Sequence, residues 1–402
     1  MHKPNHLLII LIALLNICSL SSAVAQLPLS EYNQAYNYNP LALTNFHHFV
    51  YRDKQNLRVY LNIRYRSENS VMEDSELSYF FVNSLNSLDK SNTEKLNNSH
   101  FVGHETLNNH FTIPLSPKVD TGDIMVIKMA TYDKNFTFYH CIPLEEAVDF
   151  LPMDGTQPFW GMTDNFIPEK AFQISTADPN AKVTVRHWKD PFLPSLPPMS
   201  KTSPPKELAT EDKTFDSGAT IPIKAMGTYF ISLNPDQKEG WIFMKQDKYY
   251  PKIKKVEDLA PPLRYISTND EYKALLVTND RRKAFEEFWL SNSRSPKRAK
   301  STIKRYYNQV EFANTFFTTY KEGWKTDRGM VYIVFGKPDE VYLHPKDEIW
   351  VYGRGEEEQV RFVFEKNTEH YKNGLFMLKR AKKYQDVWFR QVDLWRKGLK
   401  GI

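Results

Sequence analysis

The sequence predicts a mixed fold: β-sandwich-like N-terminal modules followed by an α+β C-terminal domain. Three observations carry this. Residues Leu57-Arg58-Val59-Tyr60-Leu61-Asn62-Ile63-Arg64-Tyr65 alternate with period two, which places every second side chain on one face of a strand. Similar β-branched and aromatic runs, separated by Asn, Asp, Ser and Gly, recur up to about residue 265, the spacing of antiparallel sandwiches. From about residue 268 the apolar period becomes helical, most clearly in Ala299, Ile303, Tyr306, Val310, Ala313, Phe317 and Tyr320, which form one stripe on a helix.

Composition narrows the classes. The chain has 402 residues, 41% of them apolar and 25% charged, enough for real cores and too apolar for wholesale disorder. Two cysteines cannot make a disulfide scaffold or a Cys-based zinc site. A net charge of +5 forces no polyphosphate-binding class, and no nucleic-acid partner is expected.

In chain order, residues 1–25 read as a signal peptide. Lys3 precedes an unbroken apolar run from Leu7 to Leu15, and Ala23-Val24-Ala25 supplies the small-x-small cleavage pattern, so the mature chain is expected to start at Gln26 without a lipid on Cys18. The apolar run is short of the roughly 20 residues that a membrane span needs. Residues 26–150 are expected to form a β-sandwich-like module. Here Cys141 sits in a strand-like run as a small buried residue, and Asn97 to Asn109 reads as a solvated loop. Residues 151–267 form a second β-rich module with a proline-rich loop at 191–205, an extended surface segment because proline cannot pair in a sheet. Residues 268–402 form the α+β domain. Helices start at Asn269-Asp270 and Asn279-Asp280, and Gly323 ends the striped helix as a C′ glycine. Met330–Phe335 reads as a strand followed by the turn Gly336-Lys337-Pro338-Asp339. The final helix is expected from Lys379 to Lys397.

The run Gly323-Trp324-Lys325-Thr326-Asp327-Arg328-Gly329 resembles the signature of the GWxTD-domain proteins, exported proteins found mainly in Bacteroidota. The likeness extends to Tyr249-Tyr250-Pro251, Ala260-Pro261-Pro262-Leu263-Arg264-Tyr265, Gly336-Lys337-Pro338-Asp339 and Glu348-Ile349-Trp350-Val351-Tyr352, and covers about residues 227–375. It departs at Asn292-Ser293-Arg294-Ser295-Pro296. The family implies secretion and a β-rich N-terminal part, and no defined reaction. Gly336-x-Pro338-x-x-Val341, Trp350-x-Tyr352 and Phe362-x-Phe364 are also similar to small outer-membrane-assembly lipoproteins with a β-lactamase-inhibitor-protein-like fold, which are binding modules.

Two roles compete for the motif. As chemistry, Asp327 would be a general base and Arg328 an anion clamp, and an envelope glycan hydrolase would pair Asp327 with Glu348 as acid and base. As structure, Trp324 fills a helix–sheet gap while Thr326 and Asp327 bond local backbone N–H groups. Asp327→Asn would then be partly tolerated. The structural role is the favoured one, for Gly323, Trp324, Thr326, Asp327, Arg328, Gly336, Pro338, Trp350 and Tyr352 alike. His47, His48, His100, His104 and His110 do not follow a metal-binding spacing. No P-loop, nucleophile elbow or dinucleotide fingerprint occurs, so no metal or cofactor is expected.

Charge is more informative. Residues 281–305 hold nine basic residues against two acidic ones, and residues 366–402 hold ten against three. Helical spacing turns Lys297, Lys300, Lys304 and Arg305, and Lys382, Lys383, Arg390, Arg396 and Lys397, outward or to the flanks. The sequence therefore suggests a noncatalytic binding or scaffold protein of the bacterial envelope, periplasmic or outer-membrane-associated. Its partners would be envelope proteins or anionic envelope components, with peripheral membrane contact.

Overall fold

Period-two alternation at 57–65 yields strand β2 (Asn56–Tyr65), which pairs antiparallel with β1 (Thr44–Asp53). The structure, a computed structural model, describes residues 28–66, 75–87, 92–131, 137–167, 170–189, 192–201, 210–236, 239–293, 295–353, 359–367 and 375–400. The expected signal segment lies outside the described residues, as do residue 191 and residues 202–205 of the proline-rich loop.

Six further strands complete the first sandwich: β3 (Ser75–Val82), β4 (Glu94–Lys95), β5 (Phe101–Glu105), β6 (Asn108–Pro114), β7 (Ile124–Thr131) and β8 (Thr137–Pro143). They form two sheets, in orders β1-β2-β6-β5 and β4-β3-β7-β8. Val59, Leu61 and Ile63 face Leu77, Met125 and Ile127 across one core. The stretch expected as a loop at 97–109 instead contains β5 and the start of β6. Strand β5 lies at a sheet edge and is largely exposed, so it lacks the apolar alternation that marks a half-buried strand. His110 is buried in β6 and stacks on Trp160 at 4.4 Å, and burial lowers its pKa to about 4. Cys141 lies half-buried in β8, its thiol pushed up to about 12 by burial.

The other face of β1 and β2 belongs to a second core. Phe49, Tyr51 and Tyr60 pack with the second sandwich. Its strands are β9 (Phe150–Asp154), β10 (Gln157–Pro158), β11 (Phe166–Ile167), β12 (Lys170–Thr176), β13 (Lys182–Trp188), β14 (Glu211–Asp216), β15 (Thr220–Ile223), β16 (Gly227–Ser232) and β17 (Trp241–Lys245). The sheet orders are β10-β9-β12-β15 and β11-β17-β16-β13-β14, with β11 parallel to β17.

The C-terminal unit packs helices α1 (Asn269–Val277), α2 (Arg281–Ser293), α3 (Pro296–Phe317), α4 (Asp327–Phe335) and α5 (Gln385–Arg396) with an antiparallel meander of β18 (Glu340–Leu343), β19 (Asp347–Tyr352), β20 (Val360–Asn367) and β21 (Leu375–Leu378). Three expectations are corrected. Met330–Phe335 is helix, not strand: every residue of this run is buried, and a helix that is apolar on all faces carries no period to read. Helix α3 ends at Phe317, with Thr318 extended behind it, so Tyr320 lies beyond the helix. Helix α5 starts at Gln385 rather than Lys379, because β21 runs to Leu378 and Ala381 is extended at φ −153°.

Two segments strap the units together. Residues 28–43 precede the first sandwich yet dock on the C-terminal sheet: the Asn33 side chain accepts from Val341 N–H (3.0 Å), and Gln34 N–H donates to Val341 O (2.7 Å). The proline-rich segment is not a free surface loop. Ser195 N–H donates to Lys325 O (2.9 Å), Pro198 O accepts from Ala381 N–H (3.0 Å), and Phe192 meets Tyr320 edge to face. An extended proline-rich backbone has unpaired carbonyls to offer, and this chain uses them on itself.

Helix α1 opens with a capping box between Thr268 and Glu271, and Glu271 also receives both guanidinium nitrogens of Arg396 at 2.7 and 2.8 Å. Arg396 is thus a half-buried link between α1 and α5 rather than part of an open basic surface. The Arg396 hydrogen bonds hold the Glu271 carboxyl at about 2, against an ordinary 4.5. A depressed folded-state pKa stabilises fully above the ordinary value and is lost as pH falls through the folded one. Glu271→Gln should therefore flatten the acid limb of the stability curve between about pH 4.5 and about pH 2 in denaturant melts. An unchanged limb would refute the pairing.

Candidate functional site

The motif occupies the connection between α3 and α4. Gly323–Lys325 is a single 3-10 turn, and Thr326 caps α4 by accepting from Gly329 N–H (3.0 Å) while donating to Gly323 O (2.8 Å). Both glycines serve close backbone approach. A Cβ on Gly323 would stand 2.0 Å from Ala313 O, and one on Gly329 would stand 1.8 Å from Gly323 O. Gly323 is therefore not the expected helix-ending C′ residue. Its role is contact between the turn and the last turns of α3.

Each motif residue holds a different part of the chain. Gly323 N–H donates to the hydroxyls of Thr318 (3.1 Å) and Tyr250 (3.3 Å). Trp324 is buried, its N–H donating to Asn314 Oδ1 (3.0 Å) and its carbonyl accepting from the Tyr265 hydroxyl (2.9 Å). Asp327, only 6% exposed, accepts from Leu378 N–H (2.8 Å) and from Arg380, with Nη1 at 3.0 Å and Nη2 on the other oxygen. Nη2 of Arg380 also reaches Leu196 O of the proline-rich strap (3.1 Å). Asp327 is thus an acceptor as expected, but its partners lie over fifty residues away rather than in the local turn.

Arg328, the next residue, projects elsewhere, as successive helical residues do. Its Nη1 lies 3.2 Å from Glu348 Oε2 and 3.2 Å from the Tyr38 hydroxyl, and its guanidinium sits 4.3 Å from the Phe376 ring centroid. Glu348 is 2% exposed and also accepts from Trp350 Nε1 and Tyr38 (3.0 Å). Burial, then Glu348, raise the Tyr38 pKa well above its ordinary value, so this hydroxyl stays a donor. The expected anion clamp is occupied by the chain's own carboxylate. Asp327 and Glu348, the pair considered for acid–base chemistry, each face a separate arginine in the interior. Gly336 caps α4 at φ +92°, Pro338 is buried in the following turn, and the Tyr352 hydroxyl donates to Gly336 O (2.9 Å).

Sequence reasoning missed Arg380 and Tyr38. Arg380 stands among exposed lysines and looks like one more surface cation. Tyr38 lies some 290 residues before its partner, in a stretch with no periodicity. Among the described residues no group of three or more His, Cys, Asp or Glu side chains is placed to hold a metal, and no helix is long and apolar enough to cross a membrane.

Of the basic residues, Lys297, Lys300, Lys304, Lys382, Lys383 and Arg390 are exposed. Arg305 is half-buried and donates to Gly398 O, while Lys397 pairs with Asp393 at 2.6 Å. The two groups approach where Gly398 packs against Arg298 and Thr302. Lys382 and Lys383 stand at the far end of α5, whose twelve residues span about 18 Å at 1.5 Å per residue.

Two outcomes follow. Asp327→Asn keeps an acceptor for Leu378 but strips the buried Arg380 of its counter-charge. It should cost about 3–5 kcal/mol in denaturant melts, more than the partial tolerance expected of a local turn. Adding Arg380→Leu should recover part of that loss, and a fully additive double variant would refute the coupling. Trp324→Ala should cost about 3–5 kcal/mol, and a wild-type melting profile would place that ring at a surface.

Comparison with known proteins agrees with this geometry. Residues 227–397 match the family model of the GWxTD domain. No curated protein and no solved structure matches the chain. The matched range begins at β16, within the second sandwich, and includes helices α1 to α5 and the meander with every motif contact inside the C-terminal unit. The chain therefore carries a GWxTD domain and is a GWxTD-domain-containing protein.

Proposed function

We propose that this protein is an exported, noncatalytic binding or scaffold module of the bacterial envelope, periplasmic or outer-membrane-associated, whose GWxTD domain engages an anionic partner through its basic helices. One observation carries the reading. The charged residues of the motif are consumed by internal pairs, Asp327 with Arg380 and Arg328 with Glu348, whereas Lys297, Lys300, Lys304, Lys382, Lys383 and Arg390 face solvent. Interior charges fix shape, and exposed like charges attract an oppositely charged surface. The signal-like residues 1–25 support export.

The test is sedimentation of the purified mature chain with vesicles containing phosphatidylglycerol, across a salt series. Binding should weaken steeply as salt shortens the Debye length below about 8 Å. Reversing Lys297, Lys300, Lys382 and Lys383 to Glu should lower the affinity by about a thousandfold, since each surface cation contributes about 1 kcal/mol, and leave melting unchanged. Binding that ignores salt, or that survives the reversal, overturns the proposal. The intact mass of the exported protein checks the start at Gln26.

A further inference from the structure

A cleft of about 340 Å³ opens where three separated segments meet: residues 32–39 of the N-terminal strap, strand β8, and the turn Lys337–Asp339 behind α4. Its volume sits at the low end of the roughly 300–1,000 Å³ usual for small-molecule sites, and junctions between structural units are where such sites concentrate. The lining is of two kinds. Aromatic rings form the walls, with Tyr32 set edge to face on Tyr139 (4.9 Å) and Tyr36 tilted on Phe138 (4.5 Å). Neutral amides, one ammonium group and the carboxylate of Asp339, whose Oδ2 accepts from Gly353 N–H (3.0 Å), stand among them.

Gln34 is the decisive residue. It is 1% exposed, lines the cleft, and its side-chain Oε1 has no hydrogen-bond partner. A buried acceptor left unpaired costs free energy, and most such groups in folded proteins find a partner. The backbone N–H of Gln34 is already used on Val341, so this turn is held by β18 with the amide oxygen left over. Asn39 spends its carbonyl oxygen on Leu41 N–H (3.1 Å), which leaves its two amide hydrogens as donors. Lys337 is exposed at the rim.

We propose that this cleft binds a saccharide unit, one sugar ring or a terminal disaccharide. A pyranose has an apolar C–H face that lies on aromatic rings and a rim of hydroxyls that both donate and accept. It would donate to Gln34 Oε1 and accept from Asn39 Nδ2 and the Lys337 ammonium. Ring walls with a few hydrogen-bonding groups, the Asp339 carboxylate a further acceptor among them, suit such a ligand. A nucleotide would need a cluster of cations or a row of backbone N–H groups for its phosphates, and among the described residues Lys337 is the one basic residue lining this cleft, with Asp339 opposing an anion. The site is separate from the basic helices and goes beyond the anionic-surface reading, so the two stand or fall independently.

The experiment is saturation-transfer NMR and calorimetric titration of the purified chain with diacetylchitobiose, a neutral probe, and with digalacturonate, an acidic one. Millimolar or tighter binding of either is expected. Gln34→Leu and Asn39→Ala should each weaken it about tenfold, the weight of one hydrogen bond to a ligand. Asn39 lies half-exposed at the surface, so its variant tests the site without disturbing a core. Preference for digalacturonate that disappears in Lys337→Ala assigns the ammonium group to a sugar carboxylate. Equal affinity for both sugars, unchanged in Lys337→Ala, keeps the site and makes its ligand neutral. Absence of binding by both probes, or binding untouched by Gln34→Leu and Asn39→Ala, overturns the proposal.

Discussion

A carboxylate and a guanidinium buried side by side must pair with each other, and Asp327 and Arg380 do so through both terminal guanidinium nitrogens, with Arg380 Nε left unpaired, so that the C-terminal unit is arranged around this contact. Asp327 and Arg380 are 6% and 9% exposed at the side chain, far from the water that would otherwise solvate them. Removing a charge pair from water carries a penalty of several kcal/mol per ion, offset only when geometry is good and the remaining donors and acceptors are paired. Here the first residue of α4, the end of β21 and the carbonyl of Leu196 are all drawn into one network. Position and charge are locked together, because a shift of any of the three elements would strand an ion.

Seen from this pair, the motif is a junction in which every letter serves a separate partner. The two glycines let the turn approach α3 and itself more closely than any side chain allows. The threonine closes the first turn of α4, and the acidic residue behind it also suits the positive end of that helix. Tryptophan fills the space against Tyr265. The neighbouring arginine runs the other way, to Glu348 and Tyr38, and so ties the N-terminal strap to the same turn. Substitution in one place would be felt in segments more than a hundred residues distant.

What the sequence revealed depended on whether a pattern was local. Helix α3 was legible because one face meets a core and the other meets water, which writes a period into the residues, whereas β2 was legible from its alternating residue types although both of its faces meet a core. Helix α4 was misread because it is buried on all sides. Strands β5 and β14 were missed at sheet edges, where the largely exposed polar run Glu-Asp-Lys-Thr-Phe-Asp of β14 has little core to face. The motif residues were found as letters, with Thr326 correctly placed as a local bond-former. Their partners were not found, because Arg380 and Tyr38 are recognisable only once distant segments are folded together. The proline-rich segment, expected as an extended surface loop, instead docks on the C-terminal unit through Ser195, Pro198 and Phe192, contacts that no local pattern announces.

The docking of residues 28–43 on β18 and Glu348 also sets an order of events. A chain made from its N-terminus presents this segment roughly 300 residues before the sheet edge that receives it. Until β18 and β19 emerge, Tyr38 lacks the Glu348 and Trp350 side chains that bury it. Contacts of such sequence separation slow folding, because loop-closure entropy must be overcome before they contribute. The two sandwiches can form from nearer neighbours, whereas the GWxTD domain is completed only when the last-made strands capture the first-made turn. The last strands thus reach back some 300 residues in sequence, and a chain halted before residue 340 would leave Tyr38 and the Asn33–Gln34 turn without their C-terminal partners.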